Sequence, residues 1–187
     1  NNEVAVCCVT TGPGATNAIT AVAGAWIEST PLIIISGQVK RADMLEGRKI
    51  RQTGVQEVEI TKLVDSVTKY ACVIKEPNDT LYVLQRAFYE ATNGRKGPVW
   101  IDVPLDIQGA PLSDVNNLKQ FQPPQLGSEQ NIQISTIGDL LKKCKKPLFF
   151  WGNGAKADGQ KTRIHDVIKK YSLPSVFTWN ASDILEY

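Results

Sequence analysis

Histidine is almost missing from this chain: His165 is the only one in 187 residues. It stands beside Asp166 in the middle of a helical pattern, where a surface position is expected. No Ser/His/Asp relay, histidine metal cluster or Walker motif can be traced. An excess of one charge is lacking too. Lys+Arg 21 against Asp+Glu 19 leaves a net charge of +2, too even to suggest nucleic acid or an anionic membrane surface as a partner. No apolar run approaches the roughly 20 residues of a membrane-spanning helix. Cysteine is sparse, with Cys7, Cys8, Cys72 and Cys144 and no C-x-x-C. Neighbours on a strand point to opposite faces, so Cys7 and Cys8 are poorly placed to share one ion. Reduced thiols, buried or half-buried, are expected. The opening Asn1-Asn2-Glu3 passes almost at once into a strand pattern without a signal-peptide signature. Together these features predict a cytoplasmic protein.

What the chain does have is an alternation of strands and helices. Residues 4–9 read as a strand, 16–28 as a helix and 32–36 as a second strand. Residues 56–63 suit a short helix, on which Glu57 and Glu59 fit a solvated face as well as they fit acid–base chemistry, and 66–74 another strand. Asn78-Asp79 is expected to cap a helix that places Leu81, Leu84, Phe88 and Ala91 on one face. Asn93-Gly94 ends it, and 98–103 is the next strand. This rhythm predicts an α/β fold with doubly wound, mostly parallel sheets. Between 105 and 130 periodicity vanishes among Gly109, Pro111, Pro123, Pro124 and Gly127, as in an interdomain linker. The rhythm then resumes. Ile134, Ile137, Leu141 and Cys144 mark a helix, 147–151 a strand, Ile164 to Tyr171 a helix and 174–178 a strand. Lys142, Lys143, Lys145 and Lys146 sit where cations complement a helix C-terminus, as a solvated helix end. The reading is of two incomplete α/β units, a piece of a longer polypeptide.

Two glycine-rich turns could carry chemistry. Thr11-Gly12-Pro13-Gly14-Ala15-Thr16-Asn17 follows the first strand and opens the first helix. It departs from the dinucleotide fingerprint because Asn17 replaces the third glycine and Ser36-Gly37-Gln38 ends the next strand without a carboxylate. It offers instead a stiff proline edge, backbone amides and the Asn17 carboxamide at a helix start, groups that suit a flat polar heterocycle. A tight turn with Asn17 bonding the helix start is the structural alternative. The second turn, Gly152-Asn153-Gly154-Ala155-Lys156-Ala157, fits G-x-G-x-x-A between a strand and a helix. Gly152 and Gly154 could cradle a pyrophosphate, or the turn could be empty.

With these residues in view the chain resembles thiamine-diphosphate-dependent enzymes, and among them the large catalytic subunit of acetolactate synthase. The motifs are Thr11 to Asn17, Pro31-Leu32-Ile33-Ile34-Ile35-Ser36-Gly37-Gln38, Val55-Gln56-Glu57, Ser66-Val67-Thr68-Lys69, and Gly94-Arg95-Lys96-Gly97-Pro98-Val99-Trp100-Ile101-Asp102-Val103-Pro104. The resemblance implies that residues 1–108 are the later part of a pyrimidine-binding domain. Residues 109–129 would be a linker and 130–187 the first part of a Rossmann-like central domain. It implies that Gly12, Pro13, Gly14 and Asn17 bind the aminopyrimidine of thiamine diphosphate. Gln56 would reach the thiazolium and substrate across a dimer interface. The glutamate that activates the cofactor and the Mg²⁺ and diphosphate site would lie outside this sequence, leaving this piece inactive alone.

The implied reaction belongs to branched-chain amino acid biosynthesis. A 2-oxo acid such as pyruvate loses carbon dioxide and its two-carbon unit passes to a second carbonyl compound, in a homodimer or homotetramer. FAD is bound by many members through a glycine-rich turn and a linker arginine. Here Asn153 interrupts the glycines and residues 112–130 hold no arginine, which counts against FAD. Val55 stands where an aromatic residue is usual. The alternatives are another thiamine-diphosphate-dependent decarboxylase, lyase or acetyltransferase, and a non-catalytic nucleotide-binding α/β module.

Overall fold

The computed structural model describes residues 3–124 and 134–185. Residues 125–129 of the expected linker and 130–133 of the expected second unit lie outside the described residues. The chain divides into two compact units, Asn1–Gln125 and Leu126–Tyr187.

In the first unit, β1 (Ala5–Val9) leads to α1 (Pro13–Asn17) and α2 (Ile19–Glu28), then β2 (Leu32–Gln38). After a long loop come α3 (Ile60–Val64), β3 (Tyr70–Val73), α4 (Thr80–Thr92), β4 (Pro98–Pro104) and α5 (Leu105–Gln108). All four strands are parallel, in the order β1-β2-β4-β3. The central strands Leu32-Ile33-Ile34-Ile35 and Val99-Trp100-Ile101 are continuous apolar runs because helices cover both of their faces. Ile33, Val99 and Ile101 pack with Val83, Ala87 and Ala91 of α4. Ile34 and Trp100 point the other way, onto Ala15, Val22, Ile60 and Val64 of α1, α2 and α3. In the second unit α6 (Ile134–Lys143), β5 (Phe149–Trp151), α7 (Lys161–Tyr171) and β6 (Ser175–Phe177) follow one another, with β5 and β6 parallel.

Several elements differ from expectation. The helix expected over 16–28 begins at Pro13 and breaks at Ala18 into α1 and α2. Proline suits the first helical position, since its missing N–H has no partner there anyway. The helix expected over 56–63 is confined to Ile60–Val64, because Gln56 adopts φ 59. The strand over 66–74 shrinks to Tyr70–Val73, its start taken by a 3-10 turn at Asp65–Val67.

Neither Asn78 nor Asp79 caps α4; Asn78 Oδ1 instead accepts from the Ser113 N–H at 3.2 Å. The buried stripe of α4 is Val83, Ala87 and Ala91, whereas Leu84 and Phe88 are exposed. Small residues let the helix approach the sheet, so the bulky pair is turned outward. The Cys7, Cys8 and Cys144 thiols are exposed and only Cys72 is half-buried; the first two lie on β1, the sheet's outer strand.

His165 is not a surface residue. Its side chain keeps 14% of its exposure and Nδ1 lies 3.8 Å from Asp166, while Nε2 is buried without a hydrogen-bond partner among the described residues. The segment after α5 carries a 3-10 turn at Val115–Asn117. It then lays Phe121 against the rings of Tyr82 and Tyr89, with centroids 5.7 and 5.2 Å away.

Candidate functional site

Parallel strands deliver their loops to one edge of a sheet, and the carboxyl edge here gathers the turn after β1 and the loop after β2. Gly12 is buried between them with φ 58 and ψ −122, a conformation open only to glycine. A Cβ built on it would lie 2.1 Å from the Gln56 carbonyl oxygen, so the two backbones touch. Gly14 is equally confined, since its Cβ would meet Thr10 Cγ2 at 2.4 Å. Pro13 and Asn17 are the first and last residues of α1. Four residues apart, they share a helix face, and both are exposed. The Asn17 carboxamide caps nothing and has no hydrogen-bond partner among the described residues, contrary to a helix-start bond. The structure thus brings Gly12, Pro13, Gly14 and Asn17 together and sets the Gln56 backbone against them. The Gln56 side chain is exposed, as is Val55 at 83%.

Behind this edge lies a buried polar network. Ser36 and Asp102 are direct register partners of β2 and β4. Trp100 Nε1 donates to Ser36 Oγ at 2.7 Å, and Ser36 donates to Asp102 Oδ1 at 2.5 Å. The Gln38 amide Nε2 donates to Asp102 Oδ2 at 2.8 Å and to the Val58 carbonyl at 2.9 Å. Its Oε1 accepts from Thr11 Oγ1 at 3.1 Å and from the Val39 N–H at 2.9 Å. Every buried polar group in this network is therefore paired. Burial pushes the Asp102 carboxyl up to about 6, against the hydrogen bonds from Ser36 and Gln38 that hold it down.

The loop carrying Gln56 is shaped by its neighbour. The Glu57 carboxylate accepts from the backbone N–H of Leu45, and from those of Thr53 and Gly54 at 3.1 Å each. Glu57 therefore does not lie on a solvated helix face; it clamps a loop, with one charge neutralising three backbone donors. Glu59 pairs with Lys62 on α3. Opposite, Arg41 is held by Asp106, N–H to Oδ1 at 3.0 Å and Nε to Oδ2 at 2.7 Å. That bond holds the Asp106 carboxyl below its ordinary range. The sequence reading missed Ser36, Gln38, Glu57 and Asp102 as site-building residues. A lone carboxylate within the apolar run Trp100-Ile101-Asp102-Val103 was the signal for the last.

The second turn is different in kind. Gly152 is extended and a 3-10 segment, Asn153–Gly159, separates it from α7. A Cβ on Gly152 or Gly154 would meet nothing within 4 Å. Lys156, the cation nearest the turn in sequence, is engaged by the Asn180 carbonyl at 2.6 Å and Asp183 at 2.8 Å. Lys161 joins Asp183 at 3.3 Å, and Lys156 and Lys161 hold that carboxyl below its ordinary range.

Residues 1–63 match the family model described as thiamine pyrophosphate enzyme, N-terminal TPP binding domain. The acetolactate synthase isozyme 3 large subunit of Escherichia coli (strain K12) is 34% identical over 184 residues, 93% of this chain and 30% of that protein. The acetolactate synthase large subunit of Lactococcus lactis is 31% identical over 182 residues, 95% of this chain and 30% of that protein. That of Cyanidium caldarium is 33% identical over 184 residues, covering 95% and 30%. The chain spans about 30% of the length of these relatives. The chain is similar to the thiamine pyrophosphate enzymes over residues 1–63 and resembles the acetolactate synthase large subunits along nearly its whole length.

Proposed function

We propose that the whole protein is an acetolactate-synthase-like enzyme. It would decarboxylate a 2-oxo acid, pyruvate, and pass the two-carbon unit to a second carbonyl compound. The observation that carries this is the meeting of the Gly12 turn with the Gln56 backbone beside an exposed Asn17 carboxamide that has no hydrogen-bond partner among the described residues. A slot lined by glycine backbone, a proline ring and one amide fits the flat, hydrogen-bonding pyrimidine of thiamine diphosphate. When bound, that cofactor would supply a ring able to hold the electron pair released with carbon dioxide.

The chain's own residues would do the rest. Gly12 would let the pyrimidine approach the backbone, Pro13 would stiffen the slot, and Asn17 would orient the ring through its amide. Gln56 would position the substrate, in the reading across a dimer interface. We propose a homodimer or homotetramer in the cytoplasm, acting in branched-chain amino acid biosynthesis. Both units would be halves of doubly wound α/β domains joined by a linker. Among the described residues no group of three His, Cys, Asp or Glu side chains gathers to hold a metal. In this reading the Mg²⁺ and diphosphate site belongs to a further part of the protein outside this sequence.

The deciding experiment is an assay of the full-length protein with pyruvate, with and without thiamine diphosphate and Mg²⁺, following carbon dioxide and acetolactate. Both products are expected only with the cofactor. Carbon dioxide without acetolactate would favour a decarboxylase, and neither product would overturn the reading.

A further inference from the structure

We propose that Gln38 is the positioning residue that couples the two walls of this slot, holding the turn at 11–17 in register with the loop at 54–58. The inference deepens the cofactor reading and rests on it. Gln38 is 5% exposed, and its amide makes four hydrogen bonds, three of them to other segments and one to the adjacent Val39 N–H. Its oxygen holds Thr11, on the turn, and its nitrogen holds the Val58 carbonyl, two residues after Gln56. The second N–H goes to Asp102 on β4, which fixes the carboxamide to the rigid centre of the sheet. Among the described residues no backbone hydrogen bond joins the turn to the loop. Gly12 and Gln56 are in steric contact, and Gln38 supplies the hydrogen bonds that keep them there. A contact without a tether has no preferred register; a carboxamide donating to one side and accepting from the other does.

Amide hydrogen exchange of the full-length protein tests this, free and with thiamine diphosphate plus Mg²⁺. Gln38→Leu is expected to raise exchange of residues 11–17 and 54–58 together by about tenfold or more, since it removes the four hydrogen bonds of the carboxamide. Residues 99–101, in the core strand, should stay protected. Cofactor affinity should fall by a similar factor. Gln38→Glu keeps the acceptor for Thr11 but turns an oxygen on Asp102 and Val58. Two facing carboxyls hold a shared proton at low pH, so its loosening should be large at pH 8 and smaller at pH 5.5.

Thr11→Val, which removes one bond alone, should loosen 11–17 and not 54–58, and serves if Gln38→Leu fails to fold. The proposal is overturned if Gln38→Leu loosens only one segment, if affinity is unchanged while both loosen, or if Gln38→Glu shows no pH dependence. A wild-type full-length protein that ignores thiamine diphosphate would sink the cofactor reading instead. The ligand-free exchange would still decide the coupling.

Discussion

The backbone of Gly12 rests against that of Gln56, so that a methyl group on the first would come within 2.1 Å of the carbonyl oxygen of the second. Two segments separated by more than forty positions in sequence thereby share one small volume. Gly12→Ala would add a Cβ in a conformation that L-residues avoid and into space already filled. Its expected cost is about 2 kcal/mol or more, read as a lowered urea midpoint, together with weakened thiamine diphosphate binding. An alanine variant of wild-type stability would show that the contact is not needed.

Asn17 and Gln56 should separate in their effects. Asn17→Ala is expected to weaken thiamine diphosphate by about tenfold, one hydrogen bond to a ligand, in calorimetry of the full-length protein. Gln56→Ala should lower turnover by about tenfold or more while changing cofactor affinity little. Equal loss in both quantities would take Gln56 off the substrate side.

Asp102 gives stability an unusual pH dependence. Its carboxyl is raised to about 6 in the folded chain, mainly by burial, from about 3.9 unfolded. The folded state thus binds the extra proton between these values, and the group's contribution is fully present below about 3.9. It is lost as pH rises through about 6, to an extent of about 3 kcal/mol. Urea unfolding of wild type and Asp102→Asn from pH 4 to 7.5 should show the wild type losing ground to the variant as pH rises. Parallel curves would refute the shift.

The Glu57 clamp is tested by proteolysis. Arg48, Lys49 and Arg51 are exposed in the loop that its carboxylate gathers. Glu57→Ala should cost about 1–3 kcal/mol by leaving charged-group hydrogen bonds unmade. It should also speed tryptic cleavage after these residues severalfold, with the rest of the digest unchanged.

Much of this was legible beforehand. The runs at 32–36 and 98–103 could only be buried parallel strands, and a Gly-Pro-Gly turn between strand and helix pointed to the carboxyl edge. What escaped was settled by tertiary context. Leu84 and Phe88 carry helical spacing but face outward, because Val83, Ala87 and Ala91 fit the narrow gap above the sheet. Glu57 looked like surface charge because its three donors come from backbone, which no side-chain pattern advertises. Gln38 and Asp102 stand within motifs that carry no sign of their role. Their pairing depends on β2 and β4 lying side by side, more than sixty residues apart in sequence. His165, expected at the surface, has its Nε2 buried.

Phe121 slots its ring against two tyrosines of α4, and Leu118 just before it is shielded to 7%. Anyone trimming the polypeptide to its sheet by stopping at Gln108 would pull out this aromatic plug. Tyr82, Tyr89, Leu84 and Phe88 would then form a bare greasy strip. Such a shortened version should clump where the longer one stays dispersed, although every strand of the sheet would still be present.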